Sequence, residues 1–157
     1  MGTEIERRFL VDADLLRQMR SEEWFEQGGA LIEQAYLAKN PWIRVRRKTT
    51  RDGVEAELTI KGPGTLVRPE FAYKIPPDES FELEKLARFG KVTKLRRYCD
   101  RWEIDEFCGR LAGLWLAEIE LPHEQGEYEA PPWLGREVTE DVRFTNAHLA
   151  EYGLPEE

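Results

Sequence analysis

The sequence feature that most constrains the fold is an alternation of charged and apolar residues, first seen in the segment 3–11. A β-strand points successive side chains to opposite faces, so Glu4, Glu6 and Arg8 share one face. Two carboxylates two residues apart on a strand can ligate a divalent cation, and an arginine in the same row can bind phosphate. One such row alone is more typical of a solvated surface, so the functional interpretation depends on recurrence of the pattern.

The alternation does recur. It predicts further strands at 32–37, 42–48, 55–61, around 68–72, 91–98, 102–107 and 115–121. Turn residues such as Asp52-Gly53 and Asp100-Arg101 join many of these segments as hairpins. Eight antiparallel strands are enough to close a barrel with room for a ligand. The predicted fold class is therefore α+β dominated by β structure: a closed eight-stranded antiparallel barrel with a few flanking helices.

Two helices are predicted between the strands. The segment 12–27 has an apolar stripe, a cap at Asp12 or Asp14, and an end at Gly28-Gly29. The segment 78–89 has apolar residues at helical spacing and ends at Gly90. The tail after Pro131 is predicted to contain only short helical or loop pieces.

Length and composition predict the general class of protein. The 157 residues fit one domain, 1–157, with a proper core. A formal net charge of −8 argues against a nucleic-acid-binding function. No signal peptide or membrane-length apolar run is visible, so we expect a cytoplasmic protein that binds no membrane. Cys99 and Cys108 show neither metal-ligand spacing nor a disulfide framework.

The alternation alone leaves the direction of the charged faces open. Burying about a dozen charges in a dry core costs several kcal/mol per ion, and total stability is only about 5–15 kcal/mol. The charges therefore either point outward around an apolar barrel core or line a wet cavity that binds a highly charged ligand.

Several motifs, by their number, order and spacing, resemble those of the CYTH family, also called triphosphate tunnel metalloenzymes. The opening residues 4–8 are similar to the family's ExExK signature. Similar motifs continue through nearly the whole chain: Arg44-x-Arg46, Leu58 to Lys61, Arg68-x-Glu70, Lys94-x-Arg96 with Tyr98, Trp102 to Asp105, Ala117 to Leu121, and a closing element from Trp133 to Asn146.

The resemblance implies an eight-stranded tunnel, charged inside, that binds a triphosphate and one or two divalent cations, Mg²⁺ or Mn²⁺. The implied metal ligands are Glu4, Glu6, Glu118 and Glu120. The implied phosphate-binding residues are Arg8, Arg44, Arg46, Lys61, Arg68, Lys94, Arg96 and Arg143. The implied catalytic set is Glu4, Glu6, Arg8, Glu70, Lys94 and Asp105. Glu103 would lie near the metals, and Glu70 or Asp105 would orient the attacking water.

Two positions depart from the family pattern. Arg8 stands where the family usually has lysine, and arginine can bind phosphate but cannot act as a base. Ala72 stands where related short members often have a second glutamate, which leaves the number of metals and the activation of water open.

The predicted reaction is hydrolysis of inorganic triphosphate to phosphate and pyrophosphate, because the short chain and its closing element are most similar to bacterial inorganic triphosphatases. Class IV-type adenylate cyclisation and thiamine triphosphate hydrolysis are alternatives within the family. A non-catalytic binder of polyphosphate or nucleoside triphosphate, and a structural barrel with outward charges, are alternatives outside it. Tyr36 and Trp42 are interpreted as ordinary strand aromatics rather than as a stacking surface for an organic group. The expected partner is a small-molecule triphosphate, and a homodimer is compatible with the sequence.

Overall fold

The computed structural model describes residues 2–27 and 29–156. The strands are β1 (Gly2–Val11), β2 (Ala30–Ala38), β3 (Trp42–Thr50), β4 (Gly53–Lys61), β5 (Val67–Ile75), β6 (Lys91–Cys99), β7 (Trp102–Phe107), β8 (Trp115–Glu120) and β9 (Leu134–Glu137). The α-helices are α1 (Ala13–Met19), α2 (Glu22–Gln27), α3 (Pro77–Glu84) and α4 (Asn146–Tyr152). Short 3-10 turns occupy Gly109–Leu111 and Val142–Phe144. Among these described residues, no helix has both the length and the apolar character needed to cross a membrane.

The first eight strands close into an antiparallel barrel. Their order is β5-β4-β3-β2-β6-β7-β8-β1, and the pairing of β1 with β5 closes the ring. The first half of β1 pairs with β5, where Glu4 lies opposite Arg68, and the second half pairs with β8, where Arg8 lies opposite Glu118. The predicted closed barrel is confirmed, and β9 adds a ninth strand beside the end of β1.

The apolar faces of the strands point outward, and those of β7 and β8 are covered. Trp102, Ile104 and Ile119, from β7 and β8, pack with Leu16 of α1 and Trp133 just before β9. A second cluster packs α4 and the 3-10 turns against the other end of the barrel. Successive side chains of a strand point to opposite faces. When the apolar face is covered from outside, the charged face therefore points into the barrel. The wet-cavity alternative is therefore the one that the structure adopts.

The first predicted helix is two helices. Asp12 caps α1 by accepting a hydrogen bond from the Leu15 N–H, as expected. Arg20 then leaves the helical conformation, and the Ser21 hydroxyl accepts a hydrogen bond from the Trp24 N–H at the start of α2. A second cap inside one apolar stripe divides the helix. Gly28, in the predicted end signal, lies outside the described residues.

Two further predictions, on the second helix and on the tail, are corrected. The helix predicted over 78–89 is α3 and ends at Glu84, and its Phe81 is half-exposed against the Arg47 guanidinium. The tail contains the short helix α4, as predicted, and also the strand β9, which was not predicted. β9 has only four residues and depends on pairing with β1, so it has little periodicity of its own.

Candidate active site

The inward faces of the barrel strands enclose a cavity of about 110 Å³. It brings together nearly all of the residues predicted to form a site. The basic side chains that line it are Arg8, Arg44, Arg46, Lys61, Arg68, Lys94 and Arg96, and the acidic ones are Glu4, Glu6, Glu70, Glu103, Glu118 and Glu120. Seven cations and six carboxylates in one small space form a strongly charged, ligand-sized site.

Glu4 is the most heavily paired of the carboxylates. Its two oxygens accept hydrogen bonds from Lys61 Nζ, at 3.2 and 3.1 Å, and from Arg68 Nε at 3.2 Å. Although burial acts to raise it, a hydrogen bond with Glu70 and the charges of Lys61 and Arg68 lower the pKa of Glu4 to about 2. Glu4 is therefore ionised under all physiological conditions.

The neighbouring glutamate, Glu70, has the higher pKa of this carboxyl pair. Burial, followed by the hydrogen bond to Glu4, raises the pKa of Glu70 to about 7. A carboxyl group that titrates near neutral pH can hold or release a proton at working pH, which general acid–base chemistry requires.

Three of the carboxylates crowd one another in the middle of the cavity. Burial, and then the charges of Glu118 and Glu4, raise the pKa of Glu6 well above its ordinary value. Burial also acts on Glu118, but Arg8 and Lys94 hold its pKa well below the usual range. Arg8 lies between the two acids, with Nη2 3.2 Å from Glu6 Oε1 and Nε 3.6 Å from Glu118 Oε1.

Two of the cavity's arginines carry buried Nε donors without a hydrogen-bond partner within the described residues. Arg44 Nε has no acceptor there, and Arg8 Nε has only the long 3.6 Å ion pair with Glu118. Both side chains are nearly inaccessible, and an unpaired buried donor costs about 1–3 kcal/mol. Donors of this kind lining a cavity favour an anionic ligand that accepts from them.

Lys94 and Arg96 are held from beneath by one aspartate. Asp105 Oδ2 is 2.8 Å from Lys94 Nζ, and the two Asp105 oxygens accept from Arg96 Nε and Nη2 at 2.8 and 3.0 Å. Burial, opposed by Asp105, lowers the pKa of Lys94 to about 8. Asp105 is fully buried beneath Lys94 and Arg96 and is not among the residues that line the cavity.

Arg143 is also placed elsewhere than expected. It lies in the 3-10 turn before α4, where Nη2 is 2.7 Å from Asp141 Oδ2, and it faces an outer groove together with Arg136 and Phe144. A local bidentate pair two residues apart holds the side chain on the outside of the barrel. It therefore does not line the cavity with the other predicted phosphate-binding residues.

Five further residues line the cavity that were not predicted as site residues: Tyr36, Trp42, Thr145, Asn146 and Ala147. Tyr36 packs edge-to-face against Trp42, with ring centroids 5.5 Å apart, and its hydroxyl accepts from Gln34 Nε2 at 3.0 Å. The last three belong to α4 and its cap. Asn146 belonged to the closing motif, but nothing in a tail segment without strand alternation places it inside the barrel.

The donor chemistry fits a hard divalent cation. Glu4, Glu6, Glu118 and Glu120 present only carboxylate oxygens, the ligands that Mg²⁺ and Mn²⁺ prefer. Within 2–27 and 29–156, no three acidic, histidine or cysteine side chains are already arranged around a common point. A bound cation would relieve the repulsion from Glu118 and Glu4 that, after burial, raises the pKa of Glu6. Glu4 would have to exchange its ion pairs with Lys61 and Arg68 for the cation.

Comparison with known proteins identifies the family. The model of the CYTH domain matches residues 2–148. This chain belongs to the CYTH family. It is 38% identical to an inorganic triphosphatase of Acetivibrio thermocellus, over 96% of this chain and 95% of the relative. It is 33% identical to an inorganic triphosphatase of Nitrosomonas europaea, over 94% of this chain and 97% of the relative.

Solved structures of CYTH-like proteins share the fold. The crystal structure of an inorganic triphosphatase aligns with 99% of both chains at a TM-score of 0.61 and 28% identity. A putative adenylate cyclase from Bacillus halodurans aligns with 80% of this chain and 84% of its own at a TM-score of 0.54. At 18% identity, the second comparison supports the fold alone.

Proposed function

We propose that this chain is a metal-dependent enzyme that hydrolyses inorganic triphosphate to phosphate and pyrophosphate. The observation that carries the proposal is the cavity, in which cations with unpaired donors and crowded carboxylates face each other across a space of ligand size. The two relatives named inorganic triphosphatase, each similar over nearly the whole chain, support the same substrate.

In this proposal Glu4, Glu6, Glu118 and Glu120 hold Mg²⁺ or Mn²⁺. The ion would supply Lewis-acid neutralisation of the substrate's negative charge. These carboxylates lie on the two paired strands β1 and β8, where Glu6 is opposite Glu120. The acidic side of the cavity is therefore formed by these two strands.

The basic residues bind the phosphate oxygens and stabilise the charge of the leaving pyrophosphate. Phosphoryl transfer depends mostly on positioning and electrostatics, so preorganised cations are the main catalytic requirement. Arg44 and Arg46 on β3, Lys61 on β4, Arg68 on β5, and Lys94 and Arg96 on β6 approach the cavity from four strands, with Arg8 from a fifth. Arg8 serves binding and not proton transfer, because its guanidinium stays protonated.

Glu70 takes the role of orienting and deprotonating the attacking water. It lines the cavity, whereas Asp105 is buried beneath Lys94 and Arg96. The water oxygen bonds to a terminal phosphorus, the bond from that phosphorus to the bridging oxygen breaks, and the water proton passes to the Glu70 carboxylate. Ala72 is beside Glu70 in a shallow pocket at the rim, so Glu70 acts there without a second glutamate from β5.

We also propose that residues 1–157 form one domain, since the barrel uses strands from both ends of the chain and the tail packs onto it. The cytoplasm remains the expected location, and monomer and homodimer remain open.

The test is phosphate release from inorganic triphosphate, with ATP and thiamine triphosphate alongside, under Mg²⁺, Mn²⁺ or chelator. The unmodified chain and a Glu4→Gln, Glu6→Gln double variant are compared. We expect metal-dependent release from inorganic triphosphate, with at least a hundredfold loss in the variant. Binding without turnover of any substrate would make the chain a triphosphate binder, and cyclic AMP from ATP would make it a cyclase.

A further inference from the structure

Asn146 lies at the centre of a hydrogen-bond chain that reaches two of the cavity's cations. Its Oδ1 accepts from Lys94 Nζ at 2.7 Å and from Gln34 Nε2 at 3.0 Å. Gln34 Oε1 in turn accepts from Arg46 Nε at 2.9 Å. One side chain from α4 is thereby connected to β2, β3 and β6.

The orientations of the two amides follow from the chemistry of the cations. Lysine and arginine only donate, so Asn146 must present its oxygen to Lys94 and Gln34 must present its oxygen to Arg46. The Gln34 amide nitrogen then points to Asn146, which completes the chain without a conflicting donor or acceptor. Such a network has one consistent arrangement, and it fixes where the two cations lie.

The Asn146 side chain is not needed to build α4. Thr145 caps the helix, with its hydroxyl accepting from the His148 N–H at 3.2 Å. Leu149 and Ala150 anchor the helix in the core. The Asn146 side chain is therefore available to the cavity that it lines.

We propose that Asn146 is a substrate-positioning residue, which holds Lys94 directly and Arg46 through Gln34 in the arrangement that receives the triphosphate. This inference rests on the proposed function for its substrate. Asp105 holds Lys94 from below, and Asn146 is the second contact that fixes the direction of the ammonium group. Without Asn146, the lysine keeps its charge partner but loses its orientation.

The test compares three variants with the unmodified chain. Asn146→Ala removes the acceptor, Asn146→Asp keeps an acceptor oxygen for Lys94 and Gln34, and Tyr152→Ala changes an exposed position of the same helix. Each is measured for kcat and KM with inorganic triphosphate, for thermal unfolding, and for calorimetric binding of a triphosphate analogue whose bridging oxygens are replaced by imido groups.

For Asn146→Ala we expect kcat/KM and analogue affinity to fall by about 10- to 100-fold, the scale of lost hydrogen bonds to charged groups. The unfolding midpoint should stay within a few degrees, and Tyr152→Ala should match the unmodified chain. Asn146→Asp should bind the analogue more weakly, because of its added charge, but should retain kcat better than Asn146→Ala. If Asn146→Ala does not fold, the kcat of the folded Asp variant relative to the unmodified chain decides the inference: a similar kcat supports it and a large loss overturns it.

Equal kinetics and affinity in Asn146→Ala and the unmodified chain would overturn the inference while leaving the proposed function intact. An equal loss of kcat in the Asp and Ala variants would also overturn it. An unmodified chain that binds the analogue but hydrolyses nothing would instead overturn the proposed function, and analogue affinity would still test Asn146. No binding at all by the unmodified chain would overturn both.

Discussion

Adjacent arginines in this barrel do opposite work. Three such pairs lie in barrel strands: Arg7–Arg8 in β1, Arg46–Arg47 in β3 and Arg96–Arg97 in β6. In each pair one member lines the charged cavity and the other lies on the outer surface of the barrel. The two members are the same residue type on the same strand, and they differ only in the face of the strand to which the side chain points.

The outer members hold flanking segments onto the barrel. Arg47 Nη2 donates to Glu84 of α3 at 3.0 Å, and its guanidinium lies 4.0 Å from the Phe81 ring centroid. Arg97 Nη2 donates to the Phe25 carbonyl of α2 at 3.2 Å, and its Nη1 donates to Glu106. Arg7 pairs with Glu137 of β9 at 2.9 Å. The guanidinium groups of these outer arginines therefore find their partners within the folded chain.

The inner member of the β3 pair has a charge that the protein balances incompletely. Burial, and then the charges of Arg44 and Arg96, lower the pKa of Arg46 to about 10. Arg8 and Arg96 are paired with acids inside the barrel, Arg8 with Glu6 and Glu118 and Arg96 with Glu103 and Asp105. Within the β3 pair, the difference teaches that the cation saturated by its own chain is structural, whereas the one crowded by like charges is prepared for an anion.

The inner member of the β3 pair gives the largest expected effect. Arg46→Met should lower kcat/KM for inorganic triphosphate by about 10²- to 10³-fold, as for loss of a preorganised transition-state contact. Because the substitution relieves repulsion with Arg44 and Arg96, the unfolding midpoint should hold or rise. Steady-state phosphate release measures the loss of kcat/KM, and thermal unfolding measures the midpoint. A clear drop in the midpoint would show that Arg46 has a structural role.

The outer member of the same pair should reverse this result. Arg47→Met should lower the free energy of unfolding by about 1–3 kcal/mol, because Glu84 and the Ser80 hydroxyl lose a buried charged partner. Below the unfolding midpoint, kcat/KM should change less than about threefold. Urea titration and initial rates on the same samples measure this, and a hundredfold loss of activity at full stability would break the comparison.

The pH dependence of stability distinguishes the inside of the barrel from the outside. The pKa of Glu70 is raised to about 7 in the fold, so its contribution is fully present below about pH 4.5 and is lost as pH rises through 7. After discounting for its partial exposure, the effect is about 1 kcal/mol. In chelator, the stability of the native chain relative to Glu70→Gln should therefore be greater at pH 5 than at pH 8. A constant difference across this range would contradict it.

The smallest effect is expected at Arg7. Its pair with Glu137 is partly exposed on both sides, and exposed pairs contribute about 0–1 kcal/mol. Arg7→Met should change the free energy of unfolding by less than about 1 kcal/mol and leave kcat/KM unchanged. Urea titration suffices, and a loss of activity here would mean that β9 helps to shape the cavity through β1.

The sequence predicts the barrel and the acidic and basic rows because strand phase is a local property. Once Glu4 and Glu6 lie on the charged face, their direction depends only on what covers the apolar face. Asp105 and Arg143 were misplaced for a different reason. The strand alternation predicts that Asp105 points inward, but it does not predict how deeply the side chain is buried. In the structure, Lys94 and Arg96 lie between Asp105 and the cavity. Arg143 belongs to a turn, where no period applies.

The residues that sequence reasoning missed come from tertiary contacts. Asn146 enters the cavity because α4 packs over the end of the barrel, and α4 has only seven residues. β9 exists because β1 extends beyond its pairing with β5 and leaves that edge of the strand free. Short elements of this kind are stabilised by their neighbours rather than by their own propensity.

The most direct test of the account is equilibrium binding of the imido triphosphate analogue to Arg46→Met and Arg47→Met, each measured beside the native chain by calorimetry. The account predicts affinity at least tenfold weaker for Arg46→Met and unchanged for Arg47→Met. Equal affinities in the two variants would show that the inward-facing row does not bind the triphosphate, and would contradict the account.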